Sequence, residues 1–164
     1  MVTNYHELYQ KYAQDVHRFA YWLCGNAQDA EDITSETFVR ALTASGEIKV
    51  ETVKGYLLTI AKNLAFKRLK QARRITYLSP NQRAVFDEPE KITETNLNLQ
   101  SAIRFMQTLP EIDRAALLMH VQDDLSYQEI AIALGISLSA TKVKIHRARM
   151  KLAAYRMQQE ELSL

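Results

Sequence analysis

The sequence has little of what punctuates or staples many folds: one cysteine, four glycines and three prolines in 164 residues. Cys24 alone cannot close an internal disulfide, so the chain does not read as a stapled secreted scaffold and fits a reducing compartment. So few glycines and prolines exclude the repeated tight turns of a β-sandwich and the glycine-rich loops that cradle phosphates. No uncharged apolar run approaches the ~20 residues that cross a bilayer. The opening MVTNYHELYQKY lacks the basic-then-apolar order of a secretory signal. No membrane insertion is expected, and the expected address is cytoplasmic. None of His6, His17, His120 and His146 has another histidine or Cys24 three or four residues away, so no metal site and no cofactor are expected. Asp123 and Asp124, close to His120, are read as a solvated helix end, and Cys24, beside Trp22 and Leu23, as a small core residue rather than a nucleophile. No enzyme is expected.

What is present is helical periodicity. The chain is 47% hydrophobic and 24% charged, an ordinary globular balance. Apolar residues recur every three or four positions at Leu8, Tyr12, Val16, Phe19 and Leu23, which predicts a helix over 5–23 stopped at Gly25-Asn26. A second helix is expected over 27–44, with Ala30, Ile33, Thr37, Phe38, Ala41 and Leu42 on its inner side. Asp29, Glu31 and Asp32 favour its N-terminal turn through the helix dipole. A loop at Glu47–Val53 and a third helix over 54–74, burying Tyr56, Leu57, Ile60, Ala61 and Leu64, complete a first domain at 1–75. Residues 76–95 are polar, contain Pro80 and Pro89 and read as a flexible linker. Helices over 96–109, 111–122, 126–134 and 137–156 form a second domain at 96–164. The fold class is all-α, with two small helical domains.

The net charge of +2 conceals segregation. Six acids and two bases lie between Asp29 and Glu51. From Thr52 to Phe86 there is no acid, against eight bases. Acids prevail again over Asp87–Glu94 and Glu111–Glu129, and from Ile130 to Gln159 six bases stand without an acid. Each block alone could be a solvated helix face; together they suit a chain that holds a polyanion on some surfaces and a basic partner on others.

The sharpest local signal lies near the C-terminus. Ser126 and Glu129 have capping-box spacing, Gly135 supplies a left-handed stop, and Ser137 is a second N-cap: helix, glycine turn, helix. In the last helix Thr141, Ile145, Ala148 and Leu152 face inward. Ser139, Lys142, Val143, Lys144, His146 and Arg147 are left outward, as a helix entering the DNA major groove requires. In the first domain Lys62, Lys67, Arg68, Lys70, Arg73 and Arg74 lie close in sequence to Tyr56, Phe66 and Tyr77, a pattern that suits single-stranded nucleic acid but also an ordinary packed helix. Asn63 in their midst is a candidate base or backbone contact.

Three segments resemble the extracytoplasmic-function (ECF) group of bacterial RNA polymerase sigma factors. They are Asp29-Ala30-Glu31-Asp32-Ile33 through Ala41, Gly55-Tyr56-Leu57-Leu58 through Ala65, and Leu109-Pro110 through Tyr127-Gln128-Glu129-Ile130-Ala131 to His146-Arg147-Ala148-Arg149. The resemblance covers nearly the whole chain and implies a two-domain initiation factor. Asp29, Glu31, Asp32, Glu36 and Arg40 would bind the clamp helices of the largest subunit of the RNA polymerase core, and the flap of the second-largest subunit is a further expected contact. The Glu47–Val53 loop and the third helix, with Lys54, Lys62, Asn63, Lys67, Arg68, Arg73 and Arg74, would read the single-stranded −10 element of promoter DNA. Ser139, Lys142, Val143, Lys144, His146 and Arg147 would read the −35 duplex. An anti-sigma factor is an expected further partner. The chain departs from the family pattern Gly-Thr-Val-Lys-Ser with Ser139-Ala140-Thr141-Lys142-Val143, which puts the promoter sequence in question, and carries Tyr56 where a tryptophan is usual. Two other functions stand beside this one: a sigma-like mimic that sequesters an anti-sigma factor, and a plain helix-turn-helix regulator.

Overall fold

A computed structural model describes residues 5–43, 52–78 and 94–162. Most of the expected 47–53 loop and of the 76–95 linker lies outside them. The described residues form seven helices: α1 (Tyr5–Cys24), α2 (Ala27–Thr43), α3 (Val53–Leu78), α4 (Glu94–Gln107), α5 (Glu111–Val121), α6 (Tyr127–Leu134) and α7 (Leu138–Leu162).

The first three enclose a core by their apolar stripes. Val16, Phe19 and Leu23 of α1 meet Ile33 and Phe38 of α2 and Leu57, Leu58 and Ala61 of α3, all buried. Burying each large side chain contributes ~1.5–3 kcal/mol. Thr34 and Thr37 enter this core because their hydroxyls donate to the carbonyls of Ala30 and Ile33, both at 2.6 Å. In the second half Met106, Ala115, Met119, Ile130, Ile145 and Ala148 are buried, and the same hydrophobic cluster runs through both halves.

The seam between the halves is sealed by polar groups. The C-terminal turn of α1 has carbonyls without intrahelical partners, and α4 and α5 supply the donors. Gln107 Nε2 donates to the carbonyls of Trp22 and Leu23, each at 3.3 Å. The guanidinium of Arg114, a residue 4% exposed, donates to the carbonyls of Leu23, Leu109 (3.0 Å) and Gln107 (3.3 Å). Gly25 ends α1 at φ +72°, and a Cβ there would stand 3.0 Å from Gln107 Nε2.

Helix α3 continues four residues past the expected Arg74, because no proline or glycine intervenes before Pro80. Helix α7 likewise runs on to Leu162. Leu42, expected on the inner side of α2, is 51% exposed at its end, and Tyr56 is half-buried against the core while Leu58 takes the interior.

Candidate nucleic-acid interface

The α6–turn–α7 unit is built as its residues dictate. Ser126 Oγ accepts from Glu129 N at 3.1 Å, and Glu129 Oε1 accepts from Ser126 N at 3.4 Å, closing the capping box. Gly135 takes φ +66° with no heavy atom near its missing Cβ, so it is required by backbone conformation alone. Ser137 Oγ then accepts from Ala140 N at 3.0 Å and starts α7. Thr141, fully buried, donates its hydroxyl to the Ser137 carbonyl at 2.9 Å, so its polar group is satisfied inside the core.

This phasing buries Thr141, Ile145 and Ala148 and leaves Ser139, Lys142, Val143, His146 and Arg147 exposed, with Val143 60% exposed. Lys144 is half-buried. Arg147 and Lys144 converge on one carboxylate of α5: Arg147 Nε lies 2.8 Å from Asp113 Oδ2, Arg147 Nη2 3.0 Å from Oδ1, and Lys144 Nζ 3.6 Å from Oδ1. Both basic side chains line a groove of about 750 Å³ that also borders Arg73 and Glu111.

On α3 the candidate residues separate. Asn63, Lys67, Arg73 and Arg74 are exposed and Lys54 and Arg68 half-buried. Lys62 is only 8% exposed, with its ammonium 5.7 Å from the centre of the Phe66 ring and its pKa lowered by burial. Arg68 Nη1 lies 3.2 Å from Asp29 Oδ1 and 3.6 Å from Asp32 Oδ2, joining the basic helix to the acidic one. On α2 Glu31 and Asp32 are exposed, Asp29 is half-buried, and Glu36 pairs with Arg40 at 2.9 Å. Arg73 pairs with Glu111, Lys54 Nζ lies 3.5 Å from Asp123 Oδ1, and the Thr52 hydroxyl donates to Glu129 Oε2 at 3.0 Å. Acids of the second half thus face Thr52 and two candidate DNA-binding cations of the first.

Residues 8–75 match the family model described as Sigma-70 region 2, and residues 99–152 the one described as Sigma-70, region 4. The sequence is 31% identical to the ECF RNA polymerase sigma factor SigE of Mycolicibacterium smegmatis, over 94% of this chain and 62% of that one. It thus spans about three fifths of SigE's length. It is 30% identical to the ferric citrate uptake sigma factor FecI of Escherichia coli, over 84% of this chain and 83% of FecI. The chain belongs to the ECF sigma factors. The sigma factor RpoE of Bartonella quintana, solved with the anti-sigma factor NepR, shares the fold: TM-score 0.77 and 22% identity over 92% of this chain and 95% of that one.

In this sigma factor the region 2 match contains α2 and nearly all of α3, and the region 4 match contains the helix-turn-helix. Sequence reasoning missed Gln107, Arg114, Asp113 and Asp123. Asp123 was expected in solvent but is 3% exposed, enclosed by Lys54 and Arg18. Burial pushes its carboxyl up to about 6, against the opposing pull of Lys54 and Arg18. Arg114 is pushed down to about 10 by burial. The Cys24 thiol is pushed up to about 12 by burial and by Asp29, which makes it a poor nucleophile at neutral pH. Among the described residues no group of three histidine, cysteine or acidic side chains could hold a metal ion. No described helix is long and apolar enough to cross a membrane.

Proposed function

We propose that this sigma factor binds the core of RNA polymerase in the cytoplasm and directs initiation at promoters with −35 and −10 elements. The observation that carries this reading is the coexistence, in one chain, of an exposed acidic face on α2 and an exposed cationic face on a recognition helix capped by Ser137. A regulator acting through α6 and α7 alone has no use for the acidic face, and a mimic has no use for the cationic one. Asp29, Glu31, Asp32, Glu36 and Arg40 meet the clamp helices of the largest subunit, and the flap of the second-largest is a further contact of the chain. Lys142, Val143, His146 and Arg147, with Ser139 and Lys144 beside them, read the −35 duplex.

The −10 strand passes along α3 by Asn63, Lys67, Arg68, Arg73 and Arg74, with Lys54 at the start of the helix. Lys62 supports this surface from within. Lys54 and Arg73 here carry acidic partners from the second half, so engagement of DNA exchanges those carboxylates for phosphates. An anti-sigma factor fits the same charged surfaces as a competitor. The domains fall at 1–75 and 96–164, joined by 76–95. Co-purification with bacterial core polymerase tests the reading: the native chain is retained, and Asp32→Lys with Glu36→Lys is lost from the complex while its helicity and melting persist. Retention of that variant would contradict the assignment of α2.

A further inference from the structure

We infer that Asp113 is the positioning residue of the recognition helix, holding the Arg147 guanidinium in the one orientation that reads a base pair of the duplex. The inference rests on α7 being the helix that reads DNA. Asp113 stands in the first turn of α5, three residues after the N-cap Pro110, where the helix dipole favours its negative charge. Its side chain is 1% exposed, whereas that of Arg147 is 47% exposed. The fixed member of the pair is therefore the acid, and the arginine is the member that reaches out.

The geometry determines which donors remain. Asp113 takes Nε and Nη2 of Arg147, leaving both hydrogens of Nη1 and one of Nη2 uncommitted to the carboxylate. A guanidinium is planar, so fixing one edge fixes the direction of the other. A free arginine on an exposed helix must lose its rotamer freedom when DNA arrives; this one is held beforehand by a buried anchor. Lys144 shares the same carboxylate at 3.6 Å. Two cations against one anion keep the patch net positive, so the anchor orients Arg147 without cancelling the attraction to phosphate. His146 and Lys142, the outward neighbours, have no comparable anchor among the hydrogen bonds and ion pairs of the described residues.

Selection of promoters from a DNA pool randomised upstream of a fixed transcribed segment tests this, using the full chain reconstituted with bacterial core polymerase. The native chain should enrich a −35 motif, and Arg147→Ala should relax one base position within it. Asp113→Asn should relax that same position by about tenfold, within the range that one bidentate arginine contact supplies, and leave the other positions intact. In the Arg147→Ala background it should add nothing. The salt dependence of binding should not weaken, since no cation is removed. If Asp113→Asn melts early, Asp113→Glu, which keeps the charge but displaces the fork, should relax the same position.

An unchanged preference in both Asp113 variants, or one weakened evenly across the motif, would overturn the inference and leave α7 as the reading helix. Failure of the native chain to enrich any −35 motif would overturn the reading of α7 and this inference with it.

Discussion

The carboxylate of Asp123, with no side-chain exposure, lies 3.5 Å from the ammonium of Lys54 across the seam between the two halves of the chain. Arg18 approaches the same oxygen at 3.9 Å, and both cations also lie near Asp15, at 3.7 and 3.0 Å. Neither oxygen of Asp123 has a polar partner closer than these long ionic contacts. The cations attract the charge, yet burial prevails and raises the pKa from 3.8 to about 6.

The sign of the pH dependence follows. Between pH 3.8 and about 6 the folded chain binds a proton at Asp123 that the unfolded chain does not, so this group's stabilisation is fully present below 3.8 and lost as pH rises through 6. A shift of about two pH units corresponds to ~3 kcal/mol. Asp123→Asn, which mimics the protonated form, should therefore melt higher than the native chain at pH 7.5, with the difference shrinking toward pH 4. Thermal melts of both proteins across that range check it, and a variant that is less stable at every pH would contradict it.

Arg114 is the second seam residue, and its value lies in its fork. It satisfies carbonyls of Leu23, Gln107 and Leu109 at once. A lysine cannot reproduce that arrangement. Arg114→Lys should cost ~2 kcal/mol, and Arg114→Met, which leaves the carbonyls unpaired and buried, should cost ~3 kcal/mol or more. Urea unfolding measures both, and costs near zero would show that water can replace the side chain.

The two left-handed glycines should differ in cost. Gly135→Ala meets nothing within 4 Å and should lose only the conformational penalty of ~1 kcal/mol. Gly25→Ala carries the same penalty and also presses on the Gln107 amide at 3.0 Å, so it should cost more. Equal losses on unfolding would mean that Gln107 shifts without consequence.

The helices were legible because their stripes and caps are local. Ser126, Glu129, Gly135 and Ser137 fix the helix-turn-helix within twelve residues, and the structure shows each in its expected role. The outward set on α7 followed from the same phasing. Lys62 was not legible as an inward residue, because a lysine in a basic run looks solvated until Phe66 and the neighbouring helices enclose it. Asp123 and Arg114 were illegible for a different reason. Each is buried by a contact far away in sequence, Lys54 for one and Leu23 for the other, which local periodicity does not show. Leu42 looked like core because it continued the stripe of α2, yet it projects where the described packing ends.

Outward residues of α7 should separate into positioning and reading roles. Lys142→Ala should weaken duplex binding evenly across sequences and lower the salt slope by about one. Val143→Ser should instead change the preferred base, since an exposed apolar side chain in the groove favours a thymine methyl, and should leave the slope alone. Titrations of the polymerase complex at several salt concentrations against the selected motif and its single-base variants distinguish the two.

The central claim is that this chain lends promoter choice to RNA polymerase. In vitro transcription with bacterial core polymerase, with and without the chain, followed by sequencing of the transcript 5′ ends, tests it most directly. The account predicts new start sites that appear only with the chain and share two upstream elements, one near −10 and one near −35. Start sites that are the same with and without the chain, together with tight sequence-specific binding of duplex by the chain alone, would contradict it.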